Sequence, residues 1–280
     1  MERGEKTDLM PVNAPLVGDA LDRLGRALLD GLDTLRGLGA FALITLGVIV
    51  TRLQVAGKLI HPMIRRQIQR CGLHLFPMIM VAAVALGLLV IGQTVALLSR
   101  IGAQEYIGVI MVTVVVRELG PLATAMLVLG RVGTATVIEL GSARAQGEVE
   151  TLEALGIDPI HFLVVPRVLG LVLGVFALTV YLILGALASG YLFAFLQDIP
   201  LRPEEYVQQL AAALGYADFV LLALKTFGFG LVIAVASCYH GLARPLTLEE
   251  VAPATIRAVV HGVIGCALID ALFVLVYLLI

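Results

Sequence analysis

Apolar residues in this chain gather into five blocks, each as long as a bilayer crossing. The roughly 30 Å hydrocarbon core of a membrane takes about 20 helical residues. The blocks cover 73–98, 106–129, 163–196, 219–239 and 259–280. A sixth apolar run, 37–50, has only about 14 residues, which predicts an interfacial or re-entrant segment rather than a span. Just before it, Leu21, Leu24, Leu28, Leu32 and Leu35 recur at helical spacing. Asp19, Asp22, Arg23, Arg26, Asp30, Asp33 and Arg36 fall mostly between them, the pattern of a helix lying on a membrane surface. The predicted fold is an all-α polytopic membrane protein, an N-terminal interfacial amphipathic helix followed by five transmembrane helices. Residues 1–68 form the cytoplasmic N-terminus, and residues 69–280 the membrane domain.

Composition fixes the solvent. With 60% hydrophobic and 14% charged residues among 280, and a mean hydropathy of +1.00, most of the chain faces lipid. The net charge of -2 says little, because in a membrane protein the placement of Arg and Lys carries the information. Arg23, Arg26, Arg36, Arg52, Lys58, Arg65, Arg66 and Arg70 all precede the first span, which places that end in the cytoplasm. Five crossings then put the C-terminus outside. Residues 1–15 carry charges and no apolar run, so no cleavable secretion signal is expected. Cys71, Cys238 and Cys266 stand apart in apolar surroundings and read as packing residues.

Charged groups inside the spans are costly and therefore candidates for function. Four meet that description: Arg117, Glu118, Lys225 and Asp270. At 1.5 Å per residue, Arg117 lies about 17 Å below the outer end of the second span and Lys225 about 10 Å below the outer end of the fourth. Neighbours in sequence point about 100° apart on a helix, so Arg117 and Glu118 need partners from elsewhere. Gly120 and Pro121 follow at once, and proline removes a backbone donor and invites a kink. Two readings stay open: a network that pins helices together, or the wall of a cavity in which Arg117 offers a donor fork to a phosphate. Gly170 with Gly174, and Gly185 with Ser189, are small-residue steps on the third span suited to close helix contact.

Between the second and third spans, 131–167 reads as a patterned cytoplasmic loop. A short helix is predicted over 147–155, exposing Glu148, Glu150 and Glu153 and stopped by Gly156 and by Asp158-Pro159. On residue types alone it is a solvated turn or a rigid acidic knob. Five ordered stretches resemble the MlaE/YrbE permeases and their chloroplast lipid-importer relatives. They are Arg117-Glu118-Leu119-Gly120-Pro121, Gly130-Arg131-Val132-Gly133, Glu139-Leu140-Gly141, the run from Leu152 to Pro159, and Val165-Pro166-Arg167. Thr134 and Thr136 stand where that family often has Ala or Gly. The resemblance implies the permease subunit of an ABC transporter, working as a homodimer in the bacterial inner membrane. It implies a coupling helix at about 145–159, in which Arg144, Glu148, Glu150, Glu153, Gly156, Asp158 and Pro159 engage a separate cytoplasmic ATPase. It also implies a phospholipid cavity built around Arg117, Glu118, Lys225, Asp270, Gln93 and Leu97, with apolar walls from the first two spans. A periplasmic MCE-domain lipid-binding protein would be the outer partner.

No GxxxxGK[ST] phosphate loop is present, so ATP and Mg are expected on the partner and no cofactor on this chain. The histidines are scattered without HExxH or paired spacing, and neither a catalytic centre, a metal site nor a nucleic-acid partner is expected. The rival is an ion-coupled secondary transporter or channel in which Glu118 and Asp270 carry protons or ions.

Overall fold

The computed structural model describes residues 31, 33–49, 57–196, 202–243 and 245–279. The chain divides into two units, Met1–Leu43 and Ile44–Ile280. In the first, the described residues are helical. The amphipathic pattern over 21–35 lies almost wholly outside the described residues. In the second unit, helix and short turns account for the described chain and no strand occurs among them.

Five helical stretches among the described residues are long and apolar enough to cross a membrane. They are α1 (Arg65–Arg100), α2 (Ile107–Ala145), α4 (Ile160–Leu196), α6 (Tyr216–Leu242) and α7 (Leu248–Leu279). Each contains one of the five apolar blocks, save for Tyr106 and Ile280 at two outer edges. Two shorter helices lie between spans, α3 (Glu148–Ala154) and α5 (Pro203–Ala213).

One boundary differs from the sequence reading. The segment from Arg131 onward is not loop: α2 continues to Ala145, through π-helical turns at Val112–Leu119 and Leu129–Gly133. Neither Gly130, which is exposed, nor Gly133, which is buried against α6, breaks it. A Cβ on Gly133 would lie 3.1 Å from Ser237 Oγ of α6. Wider π turns absorb a register change within a helix and recur at functional sites.

Small residues set the packing. On α4, a Cβ at Gly170 would meet Gln67 Cγ at 2.5 Å, one at Gly174 would meet Cys71 Cβ at 3.0 Å, and one at Gly185 would meet Ala83 Cβ at 2.9 Å. Both small-residue steps therefore close on α1 of the same chain, the backbone-to-backbone approach that replaces hydrophobic drive in lipid. On its other side α4 meets α6, where a Cβ on Gly230 would sit 2.6 Å from Val172 Cα. All three cysteines are buried and free, as packing residues should be.

Helix α5 escaped the sequence reading. Pro203 starts it, with Glu204 and Glu205 in its first turn favouring the N-terminal dipole. Tyr206 anchors it: its hydroxyl donates to the Leu187 carbonyl at 3.2 Å and its ring lies 5.2 Å from that of Tyr191. Burial pushes the Tyr206 phenol up to about 12.

Candidate functional site: a charge network within the spans

Lys225, on α6, is 0% exposed. An ammonium there must spend all three N–H donors inside the protein. It does: Nζ lies 2.8 Å from Glu118 Oε2 on α2, 2.8 Å from Asp270 Oδ1 on α7 and 2.8 Å from the Arg117 carbonyl oxygen. Pro121 explains the third contact. It stands four residues after Arg117 and has no N–H, so the Arg117 carbonyl loses its α-helical donor and lysine supplies one. Three spans meet at one ammonium.

Arg117 points elsewhere, as adjacency to Glu118 requires. Its Nε lies 2.8 Å from Asp218 Oδ1 and its Nη2 donates to Oδ2 at 3.3 Å, a two-pronged grip. Asp218 is itself pinned, accepting the Gly215 N–H at 2.9 Å at the start of α6. The guanidinium carbon lies 5.0 Å from the ring centroid of Tyr277 on α7. The network thus holds two cations and three carboxylates on α2, α6 and α7.

All four charges read from the sequence belong to it. Asp218 and Tyr277 were missed. Asp218 stands before Phe219, where the apolar block begins, and so looks like a loop residue. Only its 5% exposure and its 101-residue separation from Arg117 reveal it as part of the core. Gln93 and Leu97 are exposed on α1, one turn apart, and no ion pair or hydrogen bond ties them to the network among the described residues. On the first two spans, expected to supply the apolar walls, Leu89 and Leu97 face outward, whereas Val95 and Val128 are 0% exposed core.

At the far end of α2, Gly147 takes φ +75° and Gly156 φ +76°, left-handed turns that bracket α3 and cost a side chain dearly. Val149, 1% exposed, is its one buried anchor. Arg144 lies 3.2 Å from Glu150, tying α3 back to the end of α2. Asp158 Oδ1 accepts the Ile160 N–H at 2.9 Å and caps the entrance to α4. Glu148 and Glu153 are exposed, as are Leu155 at 70% and Ile157 at 39%. The acidic knob expected from the sequence is therefore present, with an apolar edge that composition did not suggest.

Five candidate spans, three of them joined by buried charges, with a short polar helix after the second, define a polytopic membrane protein. The Permease MlaE family profile matches residues 64–276, and the chain belongs to that family. A probable ABC transporter permease protein of Rickettsia prowazekii is 28% identical over 200 residues, covering 71% of this chain and 77% of its own. The chloroplastic protein TRIGALACTOSYLDIACYLGLYCEROL 1 of Arabidopsis thaliana is 30% identical over 226 residues, 80% of this chain and 63% of its own. The intermembrane phospholipid transport system permease protein MlaE of Haemophilus influenzae is 23% identical over 248 residues, 88% and 93%.

Proposed function

We propose that the chain is the membrane subunit of an ABC transporter that moves phospholipid, or a similar amphiphile, between the bacterial inner membrane and a periplasmic MCE-type lipid-binding protein. Two copies form the working unit, each engaging one copy of a separate ATPase that holds ATP and Mg. The N-terminus and α3 are cytoplasmic, and the C-terminus is periplasmic. The chain itself performs no covalent chemistry.

One observation carries this reading. The same continuous helix, α2, bears Arg117 and Glu118 at one level and α3 at its end, about 40 Å apart along its axis at 1.5 Å per residue. Force applied at α3 reaches the charge network through a single lever rather than a slack loop. The Arg144–Glu150 pair ties α3 to the end of α2 across the turn at Gly147. At the network, Arg117 holds Asp218 but keeps 29% of its side chain exposed, enough to offer a fork to a phosphate. Lipid binds while the fork is accessible, and ATP-driven movement of α2 expels it. An ion-coupled carrier would need Glu118 and Asp270 free to exchange protons, and both hold the same ammonium.

Glu148 and Glu153 are the exposed acids of α3 without an ion-pair partner among the described residues, so they test the docking. Reversing both, Glu148→Lys with Glu153→Lys, is expected to strip the ATPase from the purified permease while leaving it folded and lipid-bound. Undiminished copurification would overturn the assignment of α3.

A further inference from the structure

At the end of the bundle that carries α3, helices α1, α2 and α4 part to leave two adjoining cavities, of about 420 and 440 Å³. Gln67, Arg70 and His74 line both, so the two are halves of one cleft divided by α1. Arg66 and Arg167 complete the basic lining of the first half, Arg131 that of the second. Against these guanidiniums stands one carboxylate, Glu139. Both its oxygens are taken, Oε1 by Arg70 at 3.1 Å and Oε2 by Arg167 at 3.3 Å. Arg66 and Arg131 have no ion-pair partner among the described residues, and the Arg167 Nε is buried without a hydrogen-bond acceptor. Such a concentration of positive charge repels itself unless an anion joins it.

The level of the cleft names the anion. Its arginines stand at the edges of the apolar blocks, Arg66 and Arg70 just before 73–98, Arg131 just after 106–129 and Arg167 one turn into 163–196, with Leu75, Ile138, Phe162 and Leu163 interleaved in the lining and the exposed Leu73 beside it. A basic cleft between spans at headgroup depth, with an apolar flank, fits a phosphate carrying acyl chains. It is separate from the Arg117 network: Arg131 lies about 21 Å further along α2 at 1.5 Å per residue. We propose that this cleft is a second lipid site, which binds the phosphate headgroup of an anionic phospholipid from the leaflet at the α3 end of the bundle. Arg66 and Arg131 contact the headgroup, and the Arg70–Glu139–Arg167 chain holds the three helices in position around it. The choice of ligand class rests on the lipid-permease reading; the charge of the cleft does not.

The chain has no Trp, so a single one introduced at Ile138, which lines the cleft and is 50% exposed, reports from that place alone. The full-length Ile138→Trp protein in vesicles would be titrated with brominated phosphatidylglycerol or brominated phosphatidylcholine, with quenching as readout. Preference for phosphatidylglycerol is expected, falling about tenfold when Arg66→Gln and Arg131→Gln are added. Both arginines are exposed and have no ion-pair partner among the described residues, so folding is not at stake, and retention of the preference by Arg66→Lys with Arg131→Lys is expected. Equal quenching by the two lipids would overturn the proposal. So would loss of the preference to millimolar inorganic phosphate, which would make free phosphate the ligand. Lipid transport by the unaltered complex is scored separately: transport without the preference sinks this site alone, and the preference without transport sinks the permease assignment alone.

Discussion

Lys225 shows how a single side chain organises the membrane interior. Its ammonium is affordable there only because three acceptors surround it, and removing it leaves Glu118 and Asp270 facing each other without a counter-charge. Lys225→Met is therefore expected to cost about 3–5 kcal/mol, read as a lowered unfolding temperature in detergent. Adding Glu118→Gln and Asp270→Asn to the same protein should recover most of that loss, because the repulsion goes with the charges. Arg117→Ala strands Asp218, 6% exposed at its side chain, in the same way, and Asp218→Asn should rescue its folding. If Arg117 also binds phosphate, the rescued protein still loses lipid on purification; full lipid recovery would limit Arg117 to a structural role. The sequence disclosed four members of this network because a charge inside an apolar block is conspicuous. It hid Asp218, whose position beside the block's edge resembles a loop, and whose partner lies on a distant helix.

Among the elements, length decided what could be read. Runs of about 20 apolar residues have few alternatives to a span, and all five were legible. Helix α5, 11 residues of mixed character, had no such signature and is held by tertiary contacts through Tyr206. The extension of α2 past Arg131 was hidden for a related reason: glycine weakens a helix in water, but Gly133 and Gly141 are buried against side chains of neighbouring segments. Glycines in this chain accordingly differ in what they tolerate. Gly230→Leu would drive a side chain into the α4 backbone and is expected to cost at least about 2 kcal/mol, whereas Gly130→Ala meets nothing within 4 Å and should be neutral or slightly stabilising. Thermal unfolding of the two variants side by side checks this. Gly156→Ala also has room but occupies φ +76°, so a loss of about 1 kcal/mol is expected from backbone strain alone, and ATPase coupling should weaken as α3 tilts.

For the molecule as a whole, the proposed function makes one device of the buried charges, the long second helix and the exposed acidic helix: a lever with a grip at one end and a lipid gate at the other. The exposed face of α7, of whose apolar window only 11% is buried against 50% for α4, leaves ample surface for lipid and for a second copy. Partners outside the chain could not be derived from residue chemistry; the patterned stretch between the second and third spans pointed to them only through its resemblance to a family. The most direct test of the central claim is lipid movement out of proteoliposomes that contain the complex as purified from membranes, measured with and without ATP and with an ionophore that collapses ion gradients. The expected result is movement that begins on addition of ATP and is indifferent to the ionophore. Movement that proceeds without ATP and stops with the ionophore would contradict it.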